Sequence, residues 1–263
     1  PKIWTDFGRF QLTLGIHTAF ELDTVKYFRA YPVVNTTFDL IPGKLAIYAG
    51  VSGGVERNSL NSLSRENPFV HTIVNQNFMN IKSDISGGIR GAIGRSFSYH
   101  LGVSSASISN HPFFVNDTTF MQGNRFSVIY DDVRRLHVKG DLSLRLHERL
   151  STRFSAGYFQ YGLNTLTEAW HMPGLVFEWN FRYNMQDKII LSADVFSRDE
   201  TLGRMYDPIS GLEGVFINDA YLDANISLEY RYNKLLSVFL NFNNITNKPL
   251  ARWTNYPSYG FNY

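Results

Sequence analysis

The segment Leu136–Leu146, LHVKGDLSLRL, constrains this chain more than any other feature. Leu136, Val138, Gly140, Leu142, Leu144 and Leu146 take alternate positions, with His137, Lys139, Asp141, Ser143 and Arg145 between them. A period of two sends successive side chains to opposite faces of a β-strand, so this strand has one apolar and one ionisable face. Which face lies inside is the question the rest of the sequence has to answer.

The pattern recurs. Phe10, Leu12, Leu14, Ile16 and Phe20 alternate with Gln11, Thr13, Gly15, His17 and Glu21. Leu175, Phe177, Trp179, Phe181 and Tyr183 alternate with Val176, Glu178, Asn180, Arg182 and Asn184. In YLDANISLEYRY, Leu222, Ala224, Ile226, Leu228, Tyr230 and Tyr232 alternate with Tyr221, Asp223, Asn225, Ser227, Glu229 and Arg231. Weaker versions run through 28–40, 45–55, 85–93, 97–107, 154–161, 189–198 and 236–242, and no helical period of any length competes with them. Connections alternate too. Short ones fall at IPGK (41–44), GRS (94–96), HER (147–149), MQDK (185–188) and NK (233–234); long ones are expected at 57–80, 110–124, 164–173 and 199–220. Tight turns join antiparallel hairpins, and strict short-long alternation puts every tight turn at one end of the sheet.

Two architectures bury such strands in opposite senses. A soluble sandwich or propeller turns the apolar face inward and keeps its strands short. An outer-membrane barrel turns it toward lipid, leaves the lumen polar, and has short turns on one side and long loops on the other. Eleven residues at a tilt near 40° cover roughly 27 Å of membrane normal, close to the hydrocarbon thickness. Charges sit in mid-strand, and aromatics such as Trp179, Tyr183, Tyr230 and Tyr232 sit near strand ends, as interface girdles do. The expected fold is therefore all-β: an antiparallel transmembrane β-barrel of about 12 strands in a Gram-negative outer membrane, with residues 1–263 as one barrel domain.

Composition agrees. The chain is 44% hydrophobic, with 21 Phe and 15 Tyr, yet it has no run of about 18 apolar residues that would make a spanning helix. A net charge of +2 without long like-charge runs argues against nucleic acid as a partner. With no cysteine there is no disulfide framework or thiolate metal site, and the seven histidines show no metal-ligand spacing. No metal or cofactor is expected. The residues expected to line the lumen are His137, Lys139, Asp141, Arg145, Glu178, Arg182, Asp194, Arg198, Asp223, Glu229 and Arg231. Their nearly balanced signs favour mutual bracing across strands over a single-sign filter. Asp131, Asp132 and His111 could approach one another at a rim and act as a hydrolase, but YDDV reads more simply as a strand bulge or a calcium-tolerant loop, and no enzyme is expected.

The final segment, LLSVFLNFNNITNKPLARWTNYPSYGFNY, resembles the C-terminal end of TonB-dependent receptors. The resemblance rests on an alternating penultimate strand, the turn containing Asn243, Asn244, Ile245, Asn247 and Lys248, then Trp253, Tyr256, Pro257 and Gly260. GGVERNSLNSLSRENPFV and FSVIYDDVRRL are similar to segments of plug-poor receptor-like barrels of Bacteroidetes type. This resemblance implies uptake or passage of a solute across the outer membrane. The partners it implies are membrane lipid together with a periplasmic energising protein or a surface lipoprotein; a non-transporting scaffold barrel is the alternative. The family's plug and coupling box have no counterpart in residues 1–263, and only six residues follow Pro257, so a larger barrel with an incomplete last strand is expected.

Overall fold

The computed structural model describes residues 2–6, 8–22, 26–117, 123–206 and 213–263. Its main sheet is antiparallel and 12-stranded, and every neighbour in it follows chain order except that one accessory hairpin is skipped. The strands are β1 (Lys2–Asp6), β2 (Phe10–Leu22), β3 (Lys26–Ile41), β4 (Leu45–Asn58), β5 (Asn77–Ile93), β6 (Phe97–Asn116), β7 (Phe126–His147), β8 (Leu150–Leu163), β9 (Leu175–Met185) and β10 (Ile189–Arg198), followed by β13 (Tyr221–Arg231) and β14 (Ser237–Phe242). The accessory hairpins are β11 (Thr201–Tyr206) with β12 (Glu213–Asn218), and β15 (Ala251–Trp253) with β16 (Tyr256–Pro257); one helix, α1 (Leu60–Glu66), lies between β4 and β5. Among the described residues, no helix is long and apolar enough to cross a membrane.

Register converts the alternation of single strands into two continuous faces. Phe38, Ile47, Ile89 and Leu101 stand opposite one another on β3 to β6. Tyr99, Leu142, Phe154, Trp179 and Val195 do the same on β6 to β10. This face is apolar and open: Leu101, Val138, Leu142 and Leu175 are each 42–51% exposed. In a water-soluble sheet such a surface would exceed any ordinary apolar patch; as a barrel exterior it is the lipid belt.

The tight turns joining β3 to β4, β5 to β6, β7 to β8, β9 to β10 and β13 to β14 fall at one end. Gln186 and Asp187 both take positive φ (53° and 57°) in the β9–β10 turn, the two-residue geometry that matches strand twist, and Asn184 holds it by accepting from the Asp187 amide. On the inner face, Tyr48 lies across Gly88 and Gly102: a Cβ on either glycine would come within 2.8 or 2.4 Å of the Tyr48 hydroxyl. Those two glycines leave the groove that the tyrosine fills.

At the opposite end the structure departs from the expected loops. The stretch 110–124 was expected as a loop, but β6 continues to Asn116 and β7 begins at Phe126, so two strands project well beyond the belt. The reason is apolar content: Phe113 and Val115 pack to one side, Phe114, Phe126 and Val128 to the other, and a ribbon buried on both faces shows no alternation. Within the expected loop 57–80 lies α1, opened by a capping box between Ser59 and Ser62, and within 199–220 lie β11 and β12. The hydrophobic core sits here, not between the strands of the belt. Leu63, Val70, Phe114, Phe126, Val128 and Trp253 form one cluster; Phe113, Val115, Val133 and Trp170 form the other.

Candidate functional site

The eleven ionisable residues singled out above share one face. Register places Asp141 opposite Ser155, Ser155 opposite Glu178, Glu178 opposite Phe196 and Phe196 opposite Asp223. His137, Lys139 and Arg145 share parity with Asp141; Arg182 does so with Glu178, Asp194 and Arg198 with Phe196, and Glu229 and Arg231 with Asp223. All therefore project from the side opposite the lipid belt.

The structure does not treat them alike. Mid-wall, His100 Nδ1 donates to Asp141 (3.1 Å), which leaves Nε2 to accept from the Tyr48 hydroxyl (2.7 Å). Ser155 donates to the other Asp141 oxygen (2.8 Å), and Lys139 lies 3.1 Å from the same carboxylate. Arg231 donates to Glu229 (2.6 Å), and Asn180 donates to Asp194 (2.7 Å). His137 stacks on Phe159 with centroids 4.1 Å apart. Nearer the turns, Arg145 and Arg182 line a recess of about 590 Å³ together with Arg95, Arg153 and Asp194.

At the loop end the chain beyond β14 folds across the polar face and forms a cap. The expected C-terminal motif builds it. Asn244 is buried with φ of 48°; its amide donates to Lys248 O (2.7 Å) and Tyr259 O (2.9 Å), and its backbone N–H donates to Asn225 Oδ1 (2.9 Å). Asn243 bridges Asn262, and Asn247 accepts from the Phe261 amide (3.0 Å). A Cβ on Gly260 would come within 2.7 Å of that same Asn247 oxygen, so a side chain there would displace the Asn247 amide. Pro257 pairs with Ala251. Tyr256 stacks on Phe69 and donates to Asn124 O (2.5 Å), while Trp253 packs edge-on against Phe114 (5.1 Å) and Phe126 (5.5 Å). Segments nearly 190 residues apart in sequence, α1 and β15, thus meet over the ends of β6 and β7.

Beneath this cap lie two neighbouring recesses of about 240 and 310 Å³ that share Glu66 and Met172. The first is walled by Arg198, Arg252, Tyr221 and Trp253, the second by Arg135, His111 and Tyr161. Arg198 donates to Ala251 O (2.6 Å) and lies 4.7 Å above the Tyr221 ring. Burial raises the Glu66 carboxyl above its ordinary pKa, partly offset by Arg252. Burial lowers both His111 and His171 to about 4, aided by Arg135 and Arg198 respectively. His171 donates from Nδ1 to Phe114 O (3.0 Å) and lies 3.0 Å from the Thr254 hydroxyl.

The rim residues form no catalytic pair. Asp131 opposes burial with donors from Asn164, Thr165 and Leu166 at 2.8–3.1 Å, which together hold its pKa down at about 2. Asp132 accepts from Ser109 (2.9 Å) and the Asn110 amide (3.2 Å), and Asn110, at φ 56°, marks a bulge in β6. YDDV therefore lies on β7 opposite the bulge, which is in β6 and not in YDDV itself as expected, and its carboxylates are committed to local donors. Among the described residues, no group of three or more His, Cys, Asp or Glu is arranged to hold a metal. The sequence pattern did not single out the cap residues Phe113, Phe114, Phe126, His171 and Arg252; only the unbroken apolar run HPFFV signalled part of them.

No protein-family model matches the chain, and neither does any curated protein. Solved structures do. The pyoverdine outer membrane receptor FpvA from Pseudomonas aeruginosa PAO1 superposes with a TM-score of 0.70 at 13% identity, over 98% of this chain and 39% of the receptor. The FrpB iron transporter from Neisseria meningitidis gives 0.69 at 13%, over 98% and 42%. The ferric-catecholate import receptor Fiu from E. coli K12 gives 0.66 at 12%, over 97% and 41%. The chain spans about two fifths of each, and its fold is that of the TonB-dependent receptor barrels of the Gram-negative outer membrane.

Proposed function

We propose that this chain forms one side of an outer-membrane barrel through which a polar solute passes inward, with the loop-end cap recognising the solute and the eleven ionisable side chains lining its path. The observation that carries this reading is the division of one sheet into a lipid belt and a wetted, charged face that ends under a cap of arginines and aromatic rings. A charged face of this kind is stable only against water or a hydrated solute. The sheet's edge strands β1 and β14 have no partner on their outer sides among the described residues, which supports closure of the barrel by further strands. Similar structures include a pyoverdine receptor, an iron transporter and a copper transporter, which supports passage of a polar solute. Energising by a periplasmic protein belongs to this reading. Binding a surface lipoprotein belongs to the scaffold alternative.

The test is solute entry into proteoliposomes that carry the full-length protein, compared with the Arg198→Gln/Arg252→Gln variant. Entry by the native protein and its reduction in the variant support passage under the cap. Nil entry combined with stoichiometric co-purification of another protein would refute transport in favour of a scaffold.

A further inference from the structure

The turn end of the polar face carries a concentration of positive charge that its neighbours offset only in part, with Glu229 acting on Arg182 from outside the recess. Arg145 on β7 and Arg182 on β9 both stand directly opposite Ser151 on β8. They are therefore two strands apart, roughly 10 Å between backbones. Arg153 lies two residues along β8 on the same face, diagonal to both, at roughly 7–8 Å. The ladder thus places the backbone positions of three arginines in a triangle beside Ser151, close enough for the flexible side chains to converge. Arg95, in the β5–β6 turn, adds a fourth from the side, where Ser96 O accepts from the Arg145 amide (2.6 Å).

Like charges on neighbouring strands are destabilising, whereas elsewhere on this face Lys139 pairs with Asp141 and Arg231 with Glu229. Here the one carboxylate in the recess is Asp194, already bound by Asn180. Among the described residues, none of the four arginines makes an ion pair; Arg153 donates to Ser143 (3.3 Å). The rest of the lining is rich in hydroxyls: Ser96, Ser98, Ser143, Ser151 and Ser192. Guanidinium forks and serine hydroxyls facing a space of about 590 Å³ are the donor set that oxyanions take. We propose that this recess is an oxyanion-binding site, for a phosphate group or a carboxylate carried by a solute, on the inner wall at the turn end of the barrel. It rests on the passage reading only in requiring that this face be wet.

Isothermal titration of the detergent-purified full-length protein with inorganic phosphate and with pyrophosphate tests the site. Saturable, salt-sensitive binding is expected, tighter for pyrophosphate, with an affinity that falls at least tenfold in Arg145→Gln/Arg182→Gln. Neither arginine makes an ion pair among the described residues, so this variant retains the fold, checked by heat-modifiable gel migration. Lys82→Gln/Arg65→Gln removes two positive charges at the loop end and is expected to bind as the native protein does. Absence of binding to the native protein, an equal loss in both variants, or binding of hexaglutamate without binding of phosphate would each overturn the assignment; the last would make the recess a dock for an acidic protein segment. A failed passage assay with phosphate binding intact would refute the transport reading alone.

Discussion

Leu142→Arg and Ser143→Arg place the same charge on opposite sides of one strand, at nearly the same height. Leu142 lies five residues from His147 at the turn end of β7. At a rise of about 3.3 Å per residue and a tilt near 40°, it sits roughly 13 Å above the turn, about half the height of a 25 Å apolar band. Its cross-strand neighbours are Tyr99 and Phe154, and it is 42% exposed on the belt face. Arginine there faces hydrocarbon near its midplane, at a cost of roughly 2–4 kcal/mol. Ser143 projects into the arginine recess, where water screens an added guanidinium and the cost stays under about 1 kcal/mol. Urea unfolding in lipid vesicles reads the difference: with a slope of about 1–3 kcal/mol per molar, the Leu142 variant loses on the order of 1–2 M of midpoint, and the Ser143 variant a few tenths. Equal shifts, or the larger shift at Ser143, would mean that the belt and the inner wall are exchanged.

Trp253→Ala empties the centre of the cap, where the ring is 6% exposed; a loss of roughly 3–5 kcal/mol is expected, read as faster proteolysis of the segment after β14 with the belt strands still protected. Asp131→Asn exchanges a carboxylate that satisfies backbone donors from Asn164 to Leu166 for an amide that matches them poorly; a loss of about 2–3 kcal/mol in thermal unfolding is expected, together with hydrogen exchange at those amides. Acid loosens the cap. His111 and His171 titrate near 4 when folded and near 6.5 when unfolded, so the unfolded chain binds more protons between those values. Their contribution, at most roughly 3 kcal/mol each, is complete above pH 6.5 and lost as pH falls toward 4; Glu66, shifted upward, offsets part of this loss. Tryptophan fluorescence against pH should therefore show cap opening across this window in the native protein, with a shallower profile in His111→Gln; an unchanged profile would refute the assignment.

How much was legible in the sequence depended on whether a residue's environment differed between its two neighbours. On β7, β9 and β13 one side meets lipid and the other water, so the period of two wrote both the strand and its faces into the residues, and register had only to line up Asp141, Ser155 and Glu178. Where burial is two-sided the period vanishes. The stretch 110–116 therefore reads as part of a loop over 110–124, although His111 to Asn116 are all buried. Resemblance marked Asn244, Trp253 and Gly260, but not what they do, because their partners Asn225, Phe114 and Asn247 lie at separations that no local pattern relates.

The even balance of acidic and basic side chains does not by itself say which of them pair. Signs balance along the chain, but pairing is decided strand against strand. Mid-wall, register brings Asp141 to His100 and Ser155, and Lys139 reaches it along the strand; at the turn end the same register gathers Arg145, Arg153 and Arg182 around one serine. The sequence by itself determined a lipid-facing and a water-facing side, because transfer free energy acts on each residue where it stands. Only the tertiary structure decided which charges pair and which stand beside others of like sign, and that a tryptophan beyond the last long strand packs at the centre of the cap, because each depends on contacts between residues distant in the chain.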